Sequence, residues 1–395
     1  MTDTNAMKQT VQQMIDSVSE DLRSISLSIH GKPELRFEEH HAHQVLTDYL
    51  AANGFHVNRG AYDMPTAFEA LAGSGGPTIA VMCEYDALPG IGHACGHNLI
   101  AISGIAVGLA LKQALGDGNG TIVVLGSPAE EGGGGKIRLA ERGAFANIDA
   151  AMMLHPAPVD SAWFNSTATM TFEVAFHGKN AHAGGMPWEG VNAMDAIVMA
   201  HSAIGLLRQQ LRPTDRVTGM ITNGGQAVNI IPDYASALYG IRVRRHSELE
   251  ALQEKVTNCF KAAALATGCR LELTSTIGYA DMRANEPMAL TYMENFAALG
   301  GKTVPAERAR REPAGGATDM GDVSYLVPSI HPSFAIPVTV GTANHTAGFT
   351  ACAATGEAHE ATLRAAKALA MTAVELFANP DLLESTRAEF AKITR

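Results

Sequence analysis

The sequence predicts an α/β protein: a mostly parallel sheet with helices on both faces forms the larger domain, interrupted by an inserted α+β lid domain. Three observations carry this. Apolar runs at Thr78–Cys83, Thr121–Leu125, Ala150–Leu154 and Phe334–Val340 end in glycine- or proline-marked loops, with a helical stretch between the first two. That is the pattern of buried parallel strands joined by crossover helices. From about 168 to 282 the order becomes strand-helix-strand-strand-helix-strand, the split arrangement of helices on one face of an antiparallel sheet. The 395 residues also exceed one ordinary core. The larger domain is therefore assigned residues 1–167 and 283–395, and the lid 168–282.

Each element has its own signal. Val11, Met14, Ile15, Val18, Leu22, Ile25 and Ile29 recur near helical spacing and predict one amphipathic helix over 8–30. A second helix over 38–53 ends at the Asn53-Gly54 stop signal. A stretch rich in Ala, Leu, Ile and Gly predicts a helix over 98–115. In the lid, Met170–Phe176 alternates as a strand with one wet face. A helix over 190–211, strands at 216–222 and 234–244, a helix over 247–266 and a strand at 270–277 come next. An alanine-rich helix over 355–377 closes the pattern.

Composition excludes several classes. A net charge of −11 speaks against nucleic-acid and anionic-membrane partners. No run approaches the roughly 20 apolar residues of a membrane span, and the first ten residues hold no apolar export signal. Five sparse cysteines, Cys83, Cys95, Cys259, Cys269 and Cys352, suit a reducing cytoplasm better than a disulfide framework.

In open parallel sheets, ligands bind beyond the carboxyl ends of the strands. Each apolar run here is followed by groups that ligate metals. Glu84, Asp86, Cys95 and His97 follow the first; Glu130 and Glu131, before Gly132–Gly135, follow the second. His155 follows the third and His345 the fourth. Cys95, His97, Glu131, His155 and His345 suffice for two metals about 3.5–4 Å apart, with Cys95 as the bridging candidate. Neighbours in an extended segment point opposite ways, so one of Glu130 and Glu131 is expected to bind metal and the other to act as general base. Side-chain chemistry alone leaves that choice open. His345 is preferred to its rival His331 because it follows the last apolar run, whereas His331 precedes it. His40, His41, His43 and His93 are read as ordinary surface or loop residues.

These motifs, with Gly178–Ala183 around His182 and Asn229–Pro232, together resemble the M20 metallopeptidase family, in the amidohydrolase branch that carries Cys at the bridging position. The resemblance spans about residues 30 to 350 and looks nearest to aminobenzoyl-glutamate hydrolase and M20-domain dipeptidase groups. It implies two divalent metals, zinc first and manganese as the alternative. The reaction would be hydrolysis of an amide next to a carboxylate, in an N-acyl amino acid or small dipeptide. It also implies a homodimer formed through the lid. By the same resemblance Glu130 is the general base, Glu131 a ligand, and His182 an oxyanion donor that often comes from the partner subunit. Asn229 and Arg242 would hold the substrate carboxylate, with Arg244 and Arg245 as alternatives to Arg242. Gly316 and Thr318 would form a substrate loop. Asn98 stands where the branch usually has Asp, so Asp86 is expected to take over support of the ligands. The competing readings are hydrolysis of another C–N bond, a metal-binding subunit without catalysis, and a thiol nucleophile at Cys95.

Overall fold

The computed structural model describes residues 3–393 apart from 117, 277, 313–314 and 340. The C-terminal end of the expected run Phe334–Val340 and of the expected strand 270–277 therefore lies outside the described residues. The chain forms two compact units. One holds the chain up to Asn165, the stretch from Met282, and everything from Asp319; the other holds Ser166–Asp281 and the short return ending at Thr318.

The first unit opens with α1 (Thr4–Ser17), α2 (Ser19–Gly31) and α3 (His40–Ala52). The single helix expected over 8–30 is in fact two, because Val18 leaves helical geometry at φ −106°, ψ 10°. Then come β1 (His56–Arg59), β2 (Phe68–Ser74), β3 (Thr78–Glu84), α4 (His97–Leu115), β4 (Gly120–Ser127), α5 (Gly135–Glu141), β5 (Ala150–Met152) and β6 (His155–Ala157).

The second unit contributes β7 (Ala168–His177), β8 (Ala181–His182), α6 (Ala193–Leu207), β9 (Arg216–Asn223), β10 (Ile230–Ile231), β11 (Tyr234–Val243), α7 (Leu249–Thr267) and β12 (Arg270–Ser275). The chain closes with α8 (Glu286–Ala298), α9 (Ala306–Ala309), α10 (Met320–Val323), β13 (Ser329–Ile330), β14 (Ser333–Ala335), α11 (Ala347–Cys352), α12 (Gly356–Ala378) and α13 (Pro380–Ile393).

The main sheet runs β1-β2-β4-β3-β5-β13. Its β4-β3-β5-β13 portion is parallel, and β1 and β2 add an antiparallel edge that the sequence pattern does not reveal. In β3, Ile79, Val81 and Cys83 join the core on one face, while Ala80 and Met82 join the core on the other. That period of two with both faces covered is why the strand reads as an unbroken apolar run. Helix α4 is 19 residues long and apolar enough to cross a membrane by length and composition, contrary to the sequence expectation, yet most of it is buried within the fold.

Glycine lets α4 lie close on the sheet. A Cβ at Gly104 would sit 2.4 Å from Cys83 Sγ and 2.7 Å from the Met82 carbonyl oxygen. Gly104→Val is therefore expected to destabilise the fold by about 2–3 kcal/mol through overpacking. A urea midpoint unchanged from wild type would refute this.

The second unit is a four-stranded antiparallel sheet, β12-β7-β11-β9, with α6 and α7 contributing to one core. Its edge strand β9 is exposed at all positions but Val217.

Candidate metal centre and catalytic site

The centre is assembled from the loops that follow the strands. After β3 the chain turns through Gly96 (φ 76°), which caps α4 and leaves Cys95 and His97 either side of the turn. A Cβ at Gly96 would come within 2.5 Å of Pro156, so the turn admits only glycine. Asp86, fully buried, accepts from His97 Nδ1 at 3.0 Å and from the Glu131 backbone N–H at 2.9 Å. One carboxylate thus orients a histidine and fixes the backbone of the Glu130–Glu131 loop. His155 Nδ1 lies 2.8 Å from the Pro156 carbonyl, which turns Nε2 toward Cys95 Sγ at 3.4 Å. His345 is anchored by its N–H to the Ala94 carbonyl at 2.8 Å, and its Nε2 lies 3.3 Å from Glu131 Oε1.

Two of the groups capable of holding a metal share Cys95: Cys95 with His97 and His155, and Cys95 with Glu131 and His345. Within each group the donor atoms all lie within 4.8 Å of one another, and Cys95 belongs to both. His97 Nε2 and Glu131 Oε1 are buried with no well-aligned hydrogen bond, and their nearest polar neighbours are other groups of the centre. Buried polar atoms are normally paired, so a donor set of sulfur, imidazole and carboxylate with unsatisfied atoms turned inward fits a borderline divalent cation.

The electrostatics agree. Burial would raise the Cys95 thiol, but His155, with hydrogen bonds from His155, His345 and His97, brings it down to about 5. Burial would lower His97, yet Glu84 and Asp86 hold it well above the usual imidazole range. Hydrogen bonds to Cys95 and Glu131 lift His345 to about 10. Metal binding at these nitrogens would displace the protons they hold.

Glu130 has a different environment. Burial, then Glu84, Asp319 and Glu131, pushes its carboxyl well above the usual range. For Glu131, burial acts in the same direction but is outweighed by the His345 hydrogen bond and by His97, leaving it low. Two adjacent carboxylates are thus driven apart, one toward holding a proton and one toward staying ionised. Ala129, just before Glu130, adopts φ 57°, unusual for a residue with a side chain. Buried Glu39 secures that turn by accepting from the Ala129 N–H and from the N–H of Phe37, itself at φ 64°, both at 2.9 Å.

Several expectations need correction. His331, not His345, directly follows a strand of the main sheet, β13; the strand near 334, β14, pairs instead with β6 in a separate two-stranded sheet. His345 still reaches Cys95 and Glu131, through its anchor on Ala94, whereas His331 is sealed in, stacked on Phe164 at 4.6 Å. His43 is buried within α3, and His93, although in a loop as expected, is buried as well. Asn98 points away from the centre, donating to Ser26 Oγ at 2.9 Å and the Ala353 carbonyl at 3.0 Å. It ties helices together, and Asp86 supports the ligands. Sequence reasoning names Glu84 without its partner, and misses Glu39 and Lys136, whose partners are remote along the chain. It misses Asn344 as well, which donates to the Pro156 carbonyl at 3.2 Å and faces Cys95 Sγ at 3.8 Å.

In the second unit, His182 pairs with Ile230 across β8 and β10, and the Asn229 carbonyl accepts the Ala183 N–H at 3.0 Å. His182 Nδ1 accepts from the backbone N–H groups of Gly184 and Gly185 at 3.1 and 3.0 Å. Two donors on Nδ1 place the ring proton on Nε2, making His182 a directed N–H donor. Arg242 donates to Thr167 Oγ1 at 3.2 Å, and Thr167 N–H to the Gly316 carbonyl at 2.9 Å. Thr167 therefore links Arg242 to the Gly316–Thr318 return. Thr318 is buried.

Residues 166–268 match the peptidase dimerisation domain of the M20 family. The human Xaa-Arg dipeptidase is 43% identical over 97% of this chain and 92% of its own length. One of the subunits of the Escherichia coli p-aminobenzoyl-glutamate hydrolase is 30% identical over 98% of this chain and 96% of its own. The crystal structure of Bacillus subtilis YXEP, a dinuclear metal-binding peptidase of the M20 family, superposes with a TM-score of 0.69 at 21% identity, covering 92% of this chain and 99% of that one.

Proposed function

The chain belongs to the M20 metallopeptidase family, a hydrolase family, and from that premise we propose that it hydrolyses the amide bond of a dipeptide or N-acyl amino acid at a two-metal centre. The observation that carries the reading is the pair of donor groups sharing Cys95, beside a buried Glu130 that is not part of either pair. Cys95, His97 and His155 would hold one divalent ion, and Cys95, Glu131 and His345 the other. Sulfur, nitrogen and oxygen together suit zinc, with manganese as the alternative. When bound, such ions supply the Lewis acidity that activates water and polarises the amide carbonyl.

Glu130, whose surroundings raise its affinity for a proton, would in its ionised form take a proton from the attacking water and then deliver it to the departing amine. Asp86 keeps His97 in the tautomer whose Nε2 is free to ligate. His182, with its proton on Nε2, would donate to the carbonyl oxygen as negative charge develops there. Arg242 offers a bidentate fork for the substrate's carboxylate, with Asn229, Gly316 and Thr318 as further contacts.

The relatives' names favour a small substrate with a free carboxylate, of the Xaa-Arg dipeptide or aminobenzoyl-glutamate kind. The match to a dimerisation domain, the bare edge of β9 and the exposed Met220, Ile221 and Leu206 support a homodimer formed by this unit. The five unpaired cysteines suit a reducing cytoplasm.

The test is a panel of dipeptides and N-acyl amino acids assayed with added zinc or manganese, alongside their carboxamide analogues. Hydrolysis confined to substrates with a free carboxylate is expected, and Arg242→Ala should raise KM for these. His182→Ala should lower turnover about 10²–10³-fold with metal content intact. Full activity in that variant would remove His182 from the mechanism.

A further inference from the structure

Lys136 is among the largest fully buried side chains of the protein, and nothing in the reaction above uses it. It lies in the first turn of α5, five residues beyond Glu131. Its Nζ donates to Glu84 Oε2 at 2.5 Å and to Asp319 Oδ1 at 2.8 Å, and its backbone N–H donates to Asp319 Oδ2 at 2.9 Å. Both carboxylates are fully buried. Burial works against an ammonium here, but Asp319, Glu84 and Glu130 outweigh it and hold Lys136 charged. A buried ion cluster of this kind is weak evidence for stability, because desolvating three charges cancels most of their attraction. Its position suggests another purpose.

Glu84 has two faces. One oxygen is bound to Lys136; the other, Oε1, has no hydrogen bond and lies 3.4 Å from His97 Nε2, the nitrogen available to a metal. Glu84, His97 and Glu130 indeed form a third group whose donor atoms lie within 4.8 Å of one another. By distance alone, Glu84 is as able to ligate as Glu131. What distinguishes the two is that the negative charge of Glu84 is already taken up by the Lys136 ammonium at Oε2, which leaves Oε1 the weaker donor to a cation.

Resting on the two-metal reading above, we propose that Lys136 is a positioning residue that withholds Glu84 from the metals and so keeps the corner between His97 and Glu130 clear for water and the base. A side-chain cation held by Glu84 and Asp319 stands beside that third group in place of a third ion.

Chelator competition on zinc-loaded protein tests this, with metal content measured by elemental analysis. Glu84→Gln is expected to keep two zinc ions and to lose them within about threefold of the wild-type rate. Lys136→Met leaves the Glu84 carboxylate without its counter-charge and free to ligate, so it should hold zinc about tenfold more tightly, with a lower kcat. The double variant E84Q/K136M should release zinc as Glu84→Gln does. If Lys136→Met fails to fold, the comparison of Glu84→Gln with the double variant decides, because Lys136 acts only through Glu84. Loss of a zinc ion from Glu84→Gln would make Glu84 a ligand and overturn the proposal. So would unchanged or weaker zinc retention in Lys136→Met, or a double variant unlike Glu84→Gln. Wild-type protein that binds no zinc would overturn the two-metal reading and this proposal together, whereas the variant arms bear on Lys136 alone.

Discussion

Glu130→Gln should lower kcat by about 10²–10⁴-fold while leaving KM, metal content and thermal stability near wild type. The substitution keeps the shape of the side chain and removes only its capacity to accept and return a proton. Stability should not fall, because the carboxyl already sits among Glu84, Asp319 and Glu131 at an electrostatic cost, and a neutral amide relieves it. The measurement is steady-state kinetics on the best amide of the panel, paired with elemental analysis of the same sample. Retained turnover would refute the assignment of the base. Lost turnover with lost metal would instead make Glu130 a ligand.

Cys95→Ala should abolish activity and strip the centre of metal. Cys95 is the residue common to both donor groups, so its loss leaves each with two protein ligands. The expected readout is less than one ion per chain, against an expected two in the wild type, and turnover down by at least about 10³-fold, since the catalysis a metal supplies goes with it. A chelator should reproduce the loss in wild-type protein, and added zinc should reverse it. This also separates the metal reading from a thiol nucleophile at Cys95: a cysteine hydrolase would keep its activity in chelator. A Cys95→Ala protein that retained both metals would refute the shared-ligand geometry.

Both predictions concern residues that lie just beyond the apolar runs of the chain. Such residues are legible in the sequence where chemistry and position coincide. Cys95 and His97 flank one glycine turn at the start of α4, and Glu130 and Glu131 are neighbours beyond β4. For His345 the sequence points to a residue that does come within reach of Cys95 and Glu131, but on a false ground, because β14 is not a strand of the main sheet. Its place depends on a backbone hydrogen bond to Ala94, about 250 residues earlier, and no local pattern carries that information.

The sequence by itself determined the alternation of buried strands and helices, the change of pattern at the lid, and the chemical kinds of residue at the centre. Those follow from apolar periodicity and from side-chain type, which are local properties. Only the tertiary structure decided which groups support them. Asp86, already expected from its motif, meets His97 Nδ1, but that the Asn98 side chain is turned instead toward Ser26 and Ala353 emerges only from the fold. Glu39 braces the turn before Glu130 from 90 residues away, and Lys136 is drawn between Glu84 and Asp319. Such partners are chosen by which carboxylates and donors are buried together. Burial makes leaving any of them unpaired costly, and that constraint exists only once the chain has folded.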